Sequence, residues 1–209
     1  MAKRLFDIVL ASLGVVLILP LLAVLALWIK LDSPGPVFFR QERVGRHGVP
    51  FRIHKLRSMR VAQDAAAPQV TVGDDVRITR AGRFIRRHRL DELPQLIDVL
   101  AGSMSLVGPR PEVPRYVAQY PADLRDKVLS VRPGITDPAS LEFLDEAAML
   151  AAAVDPEREY VEAVLPVKLR LAAQYVDQAS LRRDVQVLLA TLRLLVFGRK
   201  PVMPGAGHR

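Results

Sequence analysis

The sequence predicts a mostly helical α+β protein: a membrane helix at the N-terminus, a small β-hairpin, and a compact domain at the membrane surface with interfacial helices. Three features carry that expectation. Residues 8–29 contain no charged side chain, and about 20 apolar residues are enough to cross a bilayer. Only two short β-prone runs stand out, residues 37–39 and 51–53, with Gly45 and Gly48 between them. Further on, apolar residues recur at helical spacing, as in Leu93, Leu96, Ile97 and Leu100 and again in Leu181, Val185, Leu188, Leu192 and Leu195.

The chain has 209 residues and a net charge of +8, which suits one domain of modest size beside the apolar segment. Cysteine is absent, so a disulfide scaffold and a thiolate metal site are both excluded. The basic excess favours an acidic partner: nucleic acid, anionic lipid or a phosphorylated small molecule.

Residues 1–30 form the expected membrane helix. Pro20 falls inside the apolar run and removes a backbone hydrogen bond, which favours a kink. Basic residues flank both sides, Lys3 and Arg4 before and Lys30, Arg40, Arg43 and Arg46 after. Positive charge collects on the cytoplasmic face, so a helix that bends at Pro20 and returns to the side it entered satisfies both flanks. A kinked span fits the apolar length equally well.

Residues 31–200 are expected to form the membrane-surface domain. Ser33-Pro34-Gly35-Pro36 ends the first helix, and the hairpin follows. Phe38, Phe39 and Phe51 suit either lipid headgroups or an ordinary core, while Lys55 and Arg57 are within reach of a phosphate if they are not simply solvated. Residues 61–75 read as a flexible loop or a frayed helix end. Residues 76–88 carry an arginine cluster, a solvated or lipid-facing basic face. Nucleic acid is a poor partner for it, because no recognised binding motif and no interleaved aromatic platform accompanies the charge.

The centre of the chain is the stretch from Arg89 to Glu112. Asp91 and Glu92 precede Pro94, which suits a first helical position, and Gly102 suits the stop. The pair is expected at the positive end of a short helix, where free N–H groups favour ionised carboxylates and attract phosphate. Acids at a helix start are common. Here, however, Arg77, Arg80, Arg83, Arg86, Arg87 and Arg89 crowd upstream and Gly108-Pro109-Arg110-Pro111 follows, which suggests a meeting point for an anionic substrate and a divalent metal. Beyond it, residues 131–136 read as a tight turn that places Arg132 beside Gly134, and residues 142–160 as an acid-rich helical segment. Residues 165–197 read as an amphipathic helical segment whose basic flanks suit headgroups, although a core-facing helix has the same pattern. Residues 201–209 are expected to be a disordered tail.

Taken together, these residues resemble the bacterial sugar transferases of the small monotopic phosphoglycosyl transferase type. The resemblance runs over nearly the whole chain: Lys3-Arg4 with Phe6-Asp7, the mid-helix Pro20, SPGPVFFRQ from Ser33, HKLRSM from His54, LDELPQL from Leu90, SMSLVGPRPE from Ser103, RPGIT from Arg132, and LPVKLRLAAQYV from Leu165. The serine often found before the family's helix-breaking proline is Leu19 here. The resemblance implies transfer of a phospho-sugar from a UDP-sugar to polyprenyl phosphate with Mg²⁺, releasing UMP. It also implies a re-entrant N-terminal helix, and a catalytic domain on the cytoplasmic face of the bacterial inner membrane.

It further implies that the family's Asp-Glu dyad falls on Asp91 and Glu92, with Asp91 as nucleophile and Glu92 as metal ligand or positioning group, Asp91 itself also able to touch the metal. Substrate phosphate is expected to meet Arg110, with Arg86, Arg89, Arg132, Lys55 and Arg57 as further candidates. A carboxylate attacks phosphorus by forming an acyl phosphate, and nearby cations stabilise the charge that develops. Two other functions share parts of the pattern: a membrane-bound polyprenyl diphosphate phosphohydrolase and a non-catalytic basic membrane-surface adaptor.

Overall fold

The computed structural model describes residues 1–60, 75–143 and 146–198. The expected loop over residues 61–74 and the expected tail over residues 201–209 lie outside them. In chain order the helices and strands are α1 (Ala2–Asp32), β1 (Phe38–Val44), β2 (Pro50–Leu56), α2 (Arg80–Arg87), α3 (Gln95–Ala101), β3 (Ser105–Val107), α4 (Pro114–Val117), α5 (Ala122–Val128), β4 (Gly134–Thr136), α6 (Pro138–Glu142), α7 (Glu146–Ala151), α8 (Pro156–Glu159), α9 (Leu165–Asp177) and α10 (Leu181–Phe197). The fold is mostly helical, as expected.

α1 is one helix of 31 residues with Pro20 inside it. Its most apolar 18-residue window has a mean hydropathy of 3.0 and is only 11% buried. Leu13, Val16, Leu17, Leu19, Val24 and Leu27 are all exposed, an apolar surface that water does not favour. The two ends behave differently from this middle. Near the start, Asp7 and Ala11 are buried against β3 and α3; near the end, Leu25 and Ile29 join Leu56, Ala81 and Ile85 in a separate apolar cluster with α2. Both ends of α1 thus seat on the same body.

The hairpin forms, longer than its β-prone runs suggested. β1 pairs antiparallel with β2, Phe39 opposite Lys55 and Gln41 opposite Ile53. The pairing is closed by a left-handed residue, His47, at φ 59° and by Gly48 at φ 78°. Ile53 is buried and Phe51 packs against the same core, while Phe38 and Phe39 are exposed.

A second pairing was not foreseen. β3 and β4 form a short parallel pair, Ser105 opposite Gly134 and Val107 opposite Thr136. The stretch expected to be only a tight turn therefore contains a strand. The reason lies at Gly108 and Gly134: a Cβ on Gly134 would stand 2.1 Å from the Gly108 nitrogen, and one on Gly108 would stand 2.5 Å from the Arg132 carbonyl oxygen. Two backbones can approach this closely only without side chains, and Gly108 N–H donates to Thr136 O at 3.1 Å across the contact.

The largest apolar cluster joins α4, α5 and α9 with a π-turn over Tyr160–Val164. α9 ends near Gln178, and Ser180 caps α10 by accepting a hydrogen bond from the Arg183 N–H. α10 is apolar on two sides. Val187, Ala190, Leu188 and Leu194 face the core, and Leu181, Val185, Leu189, Leu192 and Leu195 are exposed. Most of the stripe read from the sequence is therefore the exposed one.

Candidate active site

The acidic pair sits on a 3₁₀ turn, Leu90–Glu92, immediately before α3. Arg89 opens that turn in the left-handed region at φ 54°, and Gly102 ends α3 at φ 89°, where it receives the helix's last carbonyls. Buried Pro94 and Gln95 fix the start of α3 beneath the turn, while β2 runs alongside and delivers Lys55. From the other direction β3 leads through Gly108 and Pro109 to Arg110.

These elements converge on Glu92. Lys55 Nζ donates to Glu92 Oε1 at 2.9 Å, Arg110 Nη1 donates to Oε2 at 3.1 Å, and Arg110 Nη2 also donates to Oε1. This is the forked guanidinium–carboxylate geometry that fixes orientation as well as charge. Asp91 is held more loosely: its Oδ2 lies 4.0 Å from Lys55 Nζ, and its side chain keeps 14% exposure.

The two carboxyls are driven apart in acidity. Burial pushes Asp91 above the ordinary aspartate range; Lys55 pulls it back, and the Glu92 charge pushes it further up. Burial acts on Glu92 in the same sense, but the charges of Arg110 and Lys55 outweigh it and hold Glu92 well below the ordinary glutamate range. Glu92 in turn raises Arg110, against its desolvation. Cationic side chains rather than the end of α3 thus keep Glu92 ionised, and Asp91 does not follow the expectation for a carboxylate at a helix N-terminus.

Of the residues singled out in the sequence, Asp91, Glu92, Lys55 and Arg110 come together. The charge of Arg86 also acts on Asp91, lowering its pKa. Arg132 lies at the far end of α3, where its Nε donates to Gly102 O at 2.8 Å. Arg57 is buried away from the pair: its Nη2 donates to Ser33 O at 2.7 Å and Ile29 O at 3.3 Å, and its Nη1 to Pro34 O. It closes the C-terminal end of α1, where helix carbonyls lack partners, and its guanidinium is spent there.

Other polar residues were not identified from sequence. Asp98 is buried on α3 and accepts from the His54 backbone N–H at 2.8 Å, with His54 Nδ1 2.7 Å from its other oxygen. This ties β2, and so Lys55, to α3. Asp137 is 1% exposed and accepts from Ser140 N at 2.7 Å and Arg110 N at 3.3 Å. Glu112 accepts from the Tyr160 hydroxyl at 2.5 Å and from Arg43 Nη1 at 3.4 Å. The usable signal was a set of acids placed among apolar residues at core-facing positions.

Among the described residues, no group of three His, Asp or Glu side chains gathers into a metal cage. Mg²⁺ commonly takes one or two carboxylates and completes its shell with substrate phosphates and water, so the part-exposed Asp91 fits such an ion. Glu92 fits it less well, since both its oxygens are already engaged by cations.

The fold and site are those of a protein with a long, exposed apolar helix and a half-buried carboxylate pair whose acidities are driven apart. The comparisons place it more narrowly: the family model for bacterial sugar transferase matches residues 1–198, and the chain belongs to that family. A UDP-glucose:undecaprenyl-phosphate glucose-1-phosphate transferase of Caulobacter vibrioides is 41% identical over 208 residues, covering 93% of this chain and 69% of that protein. A UDP-N-acetylgalactosamine-undecaprenyl-phosphate N-acetylgalactosaminephosphotransferase of Aeromonas hydrophila is 38% identical over 198 residues, 94% of this chain and 44% of that protein. An Escherichia coli protein with the same name as the Caulobacter relative is 48% identical over 136 residues, 64% of this chain and 29% of that protein. The chain thus spans about two thirds of the first relative and less than half of the other two.

Proposed function

We propose that this chain is a phosphoglycosyl transferase that moves a sugar 1-phosphate from a UDP-sugar to polyprenyl phosphate and releases UMP. One observation supports this above the others. Within a chain of the bacterial sugar transferase family, Asp91 is a part-exposed carboxylate whose nearest cation among the described residues, Lys55, stands 4.0 Å away, beside a Glu92 locked by Arg110 and Lys55.

The chemistry runs in two displacements. An Asp91 oxygen attacks the sugar-proximal phosphorus, forming an aspartyl phospho-sugar as the anhydride bond breaks and UMP departs with the bridging oxygen. An oxygen of polyprenyl phosphate then attacks the same phosphorus, the acyl phosphate bond breaks, and Asp91 is regenerated. Arg110 and Lys55 supply positive charge next to the reacting phosphoryl group and keep Glu92 ionised. Asp91 would hold Mg²⁺ together with the donor diphosphate, and the ion would supply charge neutralisation for an anionic donor beside a carboxylate. In this reading Glu92 positions the two cations.

The raised pKa of Asp91 suits a nucleophile whose reactivity grows with basicity. Both ends of α1 rest on the same body, which supports a re-entrant helix rather than a span. With the basic flanks, this supports a catalytic body on the cytoplasmic face of the inner membrane.

The test uses the full chain in detergent with a panel of UDP-sugars, Mg²⁺ and polyprenyl phosphate. UMP release is expected with one or a few donors, and chelation should abolish it. Donor alone should give a single turnover of UMP and a phospho-sugar mass increase on the peptide containing Asp91, absent in Asp91→Asn. Release that requires both substrates together, with no adduct, would replace the covalent route by direct displacement.

A further inference from the structure

We propose that the first turns of α1 are positioning elements for the site: Lys3, Arg4 and Asp7 set the placement of Arg110 against the Asp91–Glu92 turn. This rests on the reading of Asp91, Glu92 and Arg110 given above.

Three side chains within two turns of one helix reach two different parts of the site's frame. Arg4 takes the far end of α3, its Nη1 donating to Val99 O at 2.6 Å and its Nη2 to Leu100 O at 3.0 Å. Asp7 takes β3: its Oδ2 accepts from Ser105 Oγ at 2.9 Å and its Oδ1 from Leu106 N at 3.2 Å. Lys3 takes the end of the same strand, donating to Val107 O at 3.0 Å and to Asp184 Oδ2 at 2.6 Å. Tyr175 braces this point from α9, its hydroxyl donating to Asp184 Oδ1 at 2.6 Å.

The consequence follows from what each part leads to. α3 is a seven-residue rod whose start carries the Asp91–Glu92 turn, and Val107 is followed by Gly108, Pro109 and Arg110. Arg110 then returns to Glu92, closing a circuit that passes through the membrane helix. Asp7 is 2% exposed and Asp184 wholly buried, so both hold their partners in a low-dielectric setting where a charge-assisted hydrogen bond is strong and directional. Displacing the start of α1 shifts the rod and the strand by different amounts, because different side chains hold them. The forked Arg110–Glu92 contact does not survive such a shift intact.

A simple anchor would lower stability and activity independently of Arg110, and a double-mutant cycle separates the two roles. The experiment measures UMP release on donor alone and full turnover for wild type, Asp7→Asn, Arg110→Lys and the double variant, all from the membrane fraction, with thermal unfolding of each. Asp7→Asn is expected to lower kcat about 10- to 100-fold with donor KM changed by less than about three-fold, the scale of a misplacement of about 1 Å. In the Arg110→Lys background the same change should cost less than about three-fold. Lys3→Arg, which keeps charge and donors, should retain most activity while Lys3→Met follows Asp7→Asn. If Asp7→Asn is not recovered folded, Lys3→Met carries the same cycle, since that side chain is 39% exposed. Multiplicative losses in the two backgrounds overturn the proposal. Wild-type protein that releases no UMP from any donor overturns the functional reading instead, and so the two failures are told apart.

Discussion

Two sets of carboxylates, Asp7 with Asp184 and Asp91 with Glu92, are satisfied to different degrees. Asp184 receives Lys3 and Tyr175, each at 2.6 Å, and Asp7 receives a hydroxyl and a backbone N–H. Burial and the bond to Asp184 push the Tyr175 hydroxyl upward, so it stays a donor. Asp91 stands 4.0 Å from Lys55, while its neighbour Glu92 takes Lys55 and Arg110 at close range. A carboxylate whose partners are complete holds structure together; one with fewer partners retains the basicity that the proposed attack on phosphorus needs. The chain builds both from the same residue types by deciding which acid the cations reach.

The largest effect that would break this contrast is on turnover. Asp91→Asn should reduce kcat/KM by at least about 10⁴-fold while leaving the unfolding midpoint close to wild type; a marked loss of stability would make Asp91 a structural acid like its counterpart. Asp184→Asn should do the reverse, destabilising the protein by about 2–3 kcal/mol in thermal unfolding because Lys3 and Tyr175 lose a charged acceptor. The figure sits at the low end for buried pairs because Lys3 is 39% exposed and can turn to solvent.

A subtler test is the acid limb of the pH profile. kcat/KM reports the free enzyme, and on the proposed mechanism Asp91 attacks only when ionised, so activity should fail as pH drops through a value above aspartate's ordinary 3.8. Lys55 lowers that value and the Glu92 charge raises it. Lys55→Met should therefore move the limb to higher pH and Glu92→Gln to lower pH; opposite movements would reassign the limb to another group. Stability follows the same logic. Glu92, held below its ordinary 4.5, contributes stability above that pH which drains away as pH falls, whereas the contribution of Asp91 is present in acid and is lost as pH rises through its elevated value. The smallest expected effect belongs to the surface: Lys127 and Asp177 pair at 2.9 Å with both side chains well exposed, and Lys127→Ala should change stability by less than about 0.5 kcal/mol.

The legible part of the molecule is what local rules encode. The apolar run, the hairpin and the helix between Pro94 and Gly102 all came from spacing and turn chemistry, and the acidic pair was visible through the arginines around it. β3 and β4 escaped because three residues each are too few to alternate, and because their pairing depends on two glycines 26 positions apart meeting backbone to backbone. Arg57 and Lys55 sit two positions apart in one motif and both read as phosphate ligands. One faces Glu92; the other continues past the end of β2 into the carbonyls of α1. The Lys3–Asp184 contact joins residues 181 apart in sequence, beyond any periodicity, although an aspartate at a core-facing step of an apolar helix was a clue that it needed a partner.

The π-turn at Tyr160–Val164 carries a consequence for insertions and deletions. A wider turn accommodates one residue more than ordinary winding does, so removing one of the five would restore the common pitch with the flanking helices still in phase, whereas removing a residue from α9 itself would rotate everything before it by about 100°. Tyr160 would swing off Glu112, two positions from Arg110. The wide turn is thus a reserve of one residue: a deletion inside it is absorbed, whereas one in α9 disconnects the preceding helices from the Pro-Arg-Pro corner.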